Sequence, residues 1–328
     1  MGGWCDPREA VLYLGEPPDS LGTPGDLGEP TEIAVIALNI RHTTVYRYNR
    51  PVSLGPHRLM LRPRESRDLR LIASTLTVVP AATITWANDV FGNAIATASF
   101  QGMTDTLSIE ATAAIELDAA AWPVFDIAAS AITYPFSYAE DAWTDLGALT
   151  IQQYPDPDRR LANWAAGFVM GAQTDTLSLL KDLSAGVSSA ITYRSREHEG
   201  TQSPVQTLNL LSGSCRDFAV LFAETARSLG FGARIVSGYI YNPDNQAIGA
   251  GTTHAWAEVF VPGGGWIGFD PTNRSVGGAN LIPVAVARDI RLAMPVAGSF
   301  IGATDAFCGQ TVGVDVVQSI CPTPAPAA

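Results

Sequence analysis

Lysine is nearly missing from this chain: of the 20 Lys and Arg residues among 328, Lys181 is the only lysine. Base is scarce altogether, with 32 Asp and Glu and a net charge of -12. Nucleic acid is therefore not an expected partner, because phosphate binding needs clustered cations that release counterions. Much of the acidity sits in residues 1 to 32, where Asp6, Glu9, Glu16, Asp19, Asp26, Glu29 and Glu32 stand against Arg8. Scarce lysine would limit self-crosslinking in an amine-accepting enzyme, but Ala- and Arg-rich codon usage explains it more simply.

Cysteine is sparse too. The four cysteines, Cys5, Cys215, Cys308 and Cys321, show no CxxC spacing and the four histidines are scattered, so the local pattern of a structural zinc site is missing. Cys308 and Cys321 are placed to pair in an oxidising compartment, yet read best as ordinary small residues in a reducing one. No apolar stretch approaches the ~18 residues of a membrane span, and the first 30 residues lack a basic segment followed by an apolar run. The expectation is a cytoplasmic protein without membrane contact, metal or cofactor; oligomeric state is left open.

What is present is enough apolar material, 47% of the residues, for two cores. Residues 1–32, rich in Gly, Pro and acid, read as a disordered leader. Residues 33–118 read as an antiparallel β-rich domain, with runs at 39–48, 57–61, 69–79, 94–100 and 106–117 separated by Pro63, Pro80, Asn88-Asp89, Gly92-Asn93 and Gly102. His42 and His57 lie in those runs and are read as structural. The basic stretch from Arg58 to Arg64, continuing to Arg67 and Arg70, is read as a solvated or domain-facing strand edge.

Residues 119–155 carry Trp122-Pro123, Tyr134-Pro135 and Tyr154-Pro155, which suit an extended connection. Helical periodicity follows in a core spanning 156–300, with 301–328 as a C-terminal strand and tail. Leu161, Trp164, Ala165 and Phe168 form one stripe; Leu177, Leu180, Leu183, Val187 and Ile191 form another. A helix over Arg216–Leu229 stops at Gly230, a strand spans Ala233–Tyr241, and a hairpin joins 254–261 to 266–270. The fold class is α+β: helices packed on an antiparallel sheet, preceded by the β-rich domain.

Three residues in this core have the types, order and settings of nucleophilic catalysis: Cys215 in Gly213-Ser214-Cys215-Arg216-Asp217, His254 in His254-Ala255-Trp256, and Asp270 in Phe269-Asp270-Pro271-Thr272. Ser214 and Asp217 resemble a capping box, which puts Cys215 in the first helical turn, where backbone amides favour a thiolate and can hold an oxyanion. If Phe260 faces Gly264 across the hairpin, His254 and Asp270 are direct cross-strand neighbours. Taken singly, each residue has a plain reading: a buried free thiol, a sheet histidine, an aspartate capping its own turn. Glu258, Asp217 and Trp266 are read as structural first, Trp256 as a cleft wall. Asn209, Gln206 and Tyr193 are candidates for a second oxyanion donor.

At these motifs the chain resembles the transglutaminase-like superfamily of papain-related cysteine enzymes, and more narrowly its bacterial cysteine-protease-like members. Ala233-Arg234-Ile235-Val236-Ser237-Gly238-Tyr239 and Gly265-Trp266-Ile267-Gly268-Phe269-Asp270 extend the likeness. Arg41-His42-Thr43-Thr44-Val45-Tyr46-Arg47-Tyr48 and Pro51-Val52-Ser53-Leu54 are similar to the β-rich N-terminal domain that accompanies such cores. The resemblance implies a papain-like core in which Cys215, His254 and Asp270 form an acyl-enzyme from a peptide or glutamine amide. Water or an amine then resolves it. The partner implied is a peptide or protein substrate. A silent peptide-binding scaffold, or a Cys/His/Asp metal site, are the competing readings.

Overall fold

Alternation of apolar and polar residues builds the first half of the chain. From Thr104 to Leu117 every second residue, Leu107 through Leu117, is buried while those between are partly open, the period of a half-covered strand. This computed structural model describes residues 35–121, 123–171, 173–195, 200–243 and 253–319. The acidic leader, Cys5 and Cys321 lie outside the described residues.

The N-terminal region contains β1 (Ile36–Leu54), β2 (His57–Leu59), β3 (Leu69–Val79), β4 (Thr83–Asn88), β5 (Ala94–Ser99) and β6 (Thr104–Leu117). β1, β6 and β3 pair antiparallel in one sheet, β2, β5 and β4 in another. β4 carried no sequence signal because its residues are mostly exposed, Trp86 included. The connecting segment holds only short elements, the longest being α1 (Glu140–Leu146).

The core begins with α2 (Arg160–Ala166), α3 (Thr176–Ala190), α4 (Pro204–Leu210) and α5 (Cys215–Ser228). α4 lacks an apolar stripe, and its signal is a capping box from Ser203 to Gln206 with Pro204 at its first turn. The antiparallel core sheet contains β7 (Ala233–Ile240), β8 (Thr253–Val261), β9 (Gly265–Asp270) and β10 (Leu281–Ala287), in the order β9, β8, β7, β10. Ala255, Ala257 and Val259 of β8 and Ile267 and Phe269 of β9 pack on Phe218, Leu221 and Phe222 of α5. One face of the sheet is thus buried by helices.

Part of the other side meets the N-terminal region, where Leu38, Ile40, Val314 and Val316 pack against Tyr239, Ile282 and Val284. The C-terminal strand, β11 (Phe307–Gln318), returns to pair with β1 from Leu38 opposite Gln318 to Tyr48 opposite Phe307. The described residues from 35 to 319 accordingly form one compact unit. Arg64 explains the basic stretch beside this junction: half-buried, it donates to the Phe91 carbonyl at 3.1 Å and to Asn93 at 2.6 Å.

Candidate active site

The N-terminus of α5 is held by an acid at its third position. The Asp217 carboxylate accepts from the Ser214 amide at 2.7 Å and hydroxyl at 2.9 Å, forming the expected capping box, and from the Gln202 amide at 2.7 Å. Gly213 leaves room for it, since a Cβ there would lie 2.8 Å from the Asp217 Cβ. Cys215 then occupies the first helical position, a free thiol at the edge of the buried core.

His254 comes from the start of β8 and Asp270 from the end of β9. His254 Nε2 lies 2.7 Å from Asp270 Oδ2, with both side chains nearly closed to solvent. Cys215 lies close enough to the imidazole and to the Ala255 amide for both to act on the ionisation of its thiol. The structure therefore brings the three sequence-predicted residues together, with His254 hydrogen-bonded to Asp270 and Cys215 beside the imidazole.

The hairpin register differs from expectation. Phe260 faces Trp266 rather than Gly264, and Val261 faces Gly265. The three-residue loop Pro262-Gly263-Gly264 is shifted one position along, with Gly263 and Gly265 at φ +83° and +69° supplying the left-handed turn. Continued, this register sets Asp270 across from Trp256, so Asp270 is the diagonal neighbour of His254 and not its direct one. The contact survives because the pairing moves by two residues in total, which keeps both side chains on the same face.

Charge in this pocket is governed by partners more than by burial. Burial works against a charged imidazole, but hydrogen bonds to Asp270 and Cys215 and their negative charges push His254 up to about 9. Burial likewise opposes a thiolate at Cys215, yet the His254 hydrogen bond and charge, the Ala255 amide and Arg216 hold it below the ordinary thiol value. Asp270 is drawn below the usual carboxylate range by His254 and Asn273 despite its burial. The arrangement favours a thiolate beside an imidazolium.

Asn273 was not anticipated. Its Nδ2 donates to Asp270 Oδ2 at 2.6 Å and lies 3.3 Å from His254 Nε2. The amides of Thr272 and Asn273 donate to Asp270 Oδ1 at 3.0 and 3.4 Å, and Ser188 of α3 donates to the Pro271 carbonyl. The available signal was the Asx-turn composition of Asp270-Pro271-Thr272-Asn273.

Of the suggested oxyanion donors, Tyr193 lies nearest in effect: burial, then the charge of Cys215, raise its hydroxyl pKa, and its backbone pairs with Gly213. Gln206 is held in the α4 capping box, its Oε1 accepting from the Ser203 amide at 2.9 Å. Asn209 is exposed on α4. Trp256, expected at a cleft wall, is buried with its ring stacked 6.0 Å from His254. Glu258 pairs with Arg234 at 2.6 Å, and Arg234 lies 4.1 Å over the Trp266 ring. His42 and His57 are buried, His42 hydrogen-bonded with the Thr44 and Tyr239 hydroxyls and His57 through Nδ1 with the Gly55 carbonyl. Among the described residues no group of three or more His, Cys, Asp or Glu is arranged to hold a metal ion, and no helix is long and apolar enough to cross a membrane.

Comparison with known proteins agrees with this architecture. Residues 162–271 match the transglutaminase-like superfamily and residues 38–116 the bacterial transglutaminase-like N-terminal region. The core is thus similar to the transglutaminase-like superfamily over residues 162–271, and the region before it to the N-terminal region found with bacterial members over residues 38–116. It is 28% identical over 279 residues to an uncharacterized protein of Mycobacterium tuberculosis, covering 79% of this chain and 86% of the relative. An uncharacterized protein of Mycobacterium leprae is 24% identical over 283 residues, covering 82% and 95%. The fold is similar to the crystal structure of a "Putative Cysteine Protease" from Cytophaga hutchinsonii, with TM-score 0.68 and 20% identity over 87% of this chain and 91% of that one.

Proposed function

We propose that this protein is a thiol-dependent acyl-transfer enzyme that cleaves peptide or glutamine amide bonds through Cys215, His254 and Asp270. The observation that carries the reading is the thiol, imidazole and carboxylate chain, in which His254 rises to about 9 and Cys215 is held below its ordinary value. The Cys215 thiolate attacks the amide carbonyl, forming a C–S bond. Backbone amides at the start of α5 and the Tyr193 hydroxyl stabilise the oxyanion. His254 gives its proton to the leaving nitrogen as the C–N bond breaks, which leaves a thioester. It then takes a proton from the acceptor, water in the protease or amidase reaction, as the acceptor oxygen attacks and the thiolate departs. Asp270 holds the imidazole in the required tautomer. With a primary amine as acceptor the same steps make a transglutaminase. A reducing cytoplasm keeps the lone thiol available.

The test is mass spectrometry of a complex peptide mixture incubated with the wild type or Cys215→Ala, with and without a labelled primary amine. New termini or deamidated glutamine, made only by the wild type, support hydrolysis; amine incorporation at glutamine supports transglutamination. Unchanged peptides, together with Cys215 that alkylates no faster than free cysteine at pH 7, would identify a peptide-binding scaffold instead.

A further inference from the structure

The N-terminal region and the core line an open cleft of about 850 Å³ that reaches the nucleophile's helix at Arg216, the residue after Cys215, whose charge acts on the thiol; the thiol and His254 themselves do not line it. Its walls are aromatic. Tyr46 of β1 and Phe307 and Phe300 of the C-terminal segment form one side, with Tyr48 between them at ring distances of 5.0 and 6.1 Å, and Tyr154 of the connecting segment lines it too. Among the described residues lining it there is no Asp or Glu; the charged groups are Arg216 and Arg291. In a chain with 32 acids and 20 bases such a lining is a local inversion of charge.

The two arginines differ. Arg291 is already neutralised by the buried Asp289 at 2.6 Å. Arg216 follows Cys215 directly in the first turn of α5, is half-buried, and has no carboxylate partner among the described residues. A half-desolvated guanidinium without a partner is an anion site awaiting its carboxylate. Aromatic walls next to it suit a flat apolar side chain.

We propose that this cleft is the acyl-donor subsite and that it selects peptides carrying a carboxylate and an aromatic side chain beside the reacting amide, the carboxylate on Arg216 and the ring among Tyr46, Tyr154 and Phe307. The proposal rests on the acyl-transfer reading above. It assigns to the junction of the two regions the task of choosing the substrate.

Acetyl-Asp-Phe, acetyl-Lys-Phe and acetyl-Asp-Ala chloromethyl ketones test it, because the Cys215 thiolate displaces chloride to form a stable C–S bond whose rate is followed by mass. Iodoacetamide serves as the small neutral control, and about 0.15 M salt screens the acidic surface. The expected result is alkylation by the Asp-Phe probe roughly tenfold faster than by the Lys-Phe probe. Arg216→Gln brings that ratio near one, and taking a ratio within each variant cancels any change in the thiol itself. Phe307→Ala lowers the Asp-Phe to Asp-Ala ratio several-fold and leaves the Asp to Lys preference in place. Rapid iodoacetamide alkylation with no Asp preference, or a preference that Arg216→Gln leaves intact, overturns the subsite while the thiol chemistry stands. Iodoacetamide reacting no faster than with free cysteine sinks the acyl-transfer reading, and the subsite with it.

Discussion

Two histidines of this molecule are buried to a similar depth and sit at opposite ends of the titration range. His42, 1% exposed in β1, accepts or donates only to neutral groups, the Thr44 hydroxyl at 2.9 Å and the Tyr239 hydroxyl at 3.2 Å. Burial alone then lowers it to about 4. His254, 6% exposed, lies between Asp270 and Cys215 and is raised to about 9. Desolvation opposes charge at both sites, so what separates them is whether a negative group shares the cavity. The N-terminal region uses histidine as a packed polar spacer against the core sheet. The core turns the same side chain into a stored proton.

The largest effect should come from removing one end of that arrangement. Cys215→Ala is expected to lower turnover by a factor on the order of 10⁴ or more, measured on any substrate found in the peptide mixture. Asp270→Asn breaks the comparison more informatively. It keeps a hydrogen-bonding group in place but removes the charge, so His254 should fall toward the behaviour of His42. Turnover is expected to drop by about 10³ to 10⁴, with KM little changed. The pH dependence of Cys215 alkylation should move in step, requiring more alkaline solution to reach half its maximum. Alkylation with an unshifted midpoint would show that Asp270 does not set the charge of the pair.

His42 gives the converse test in stability. Its folded pKa is below the roughly 6.5 of an unfolded histidine, so unfolding takes up a proton between about pH 6.5 and about 4. The contribution of the neutral ring is therefore fully present above pH 6.5 and is lost as pH falls toward 4, by up to about 3 kcal/mol. His57, lowered by burial as well, acts in the same direction. Urea denaturation of the wild type and His42→Asn across this range isolates the term. Parallel curves for the two proteins would contradict it.

The site was more legible than its geometry. The helix start at Cys215 was readable because Ser214 and Asp217 announce a cap, and His254 because a strand signal surrounds it. The face shared by His254 and Asp270 followed from period two. The register did not, since Pro262-Gly263-Gly264-Gly265 allows several turns and only the left-handed conformations of Gly263 and Gly265 decide among them. The return of Phe307–Gln318 to β1 was equally hidden. A strand says that it needs a partner, but loop-closure entropy grows so slowly with length that the sequence does not name which one. With that return went the cleft wall that Phe307 supplies. β4 and α4 were missed for a simpler reason: neither buries a regular apolar stripe.

Asn273 offers the finest adjustment of the contrast between the two histidines. Its amide donates to the same Asp270 oxygen that holds His254, and it helps keep that carboxylate ionised against its burial. Asn273→Ala removes this donor but leaves the amides of Thr272 and residue 273 on the other oxygen. The loss should be about 1 kcal/mol, a five- to tenfold fall in turnover. The direction with pH is also determined. Without the donor the Asp270 pKa rises, so protonation disables the pair at a higher pH and the acid limb of kcat shifts upward. A purely structural role would lower stability at all pH values and leave that limb in place. Asn273→Asp separates the two, because a second carboxylate beside Asp270 also raises its pKa by repulsion and should shift the limb further still.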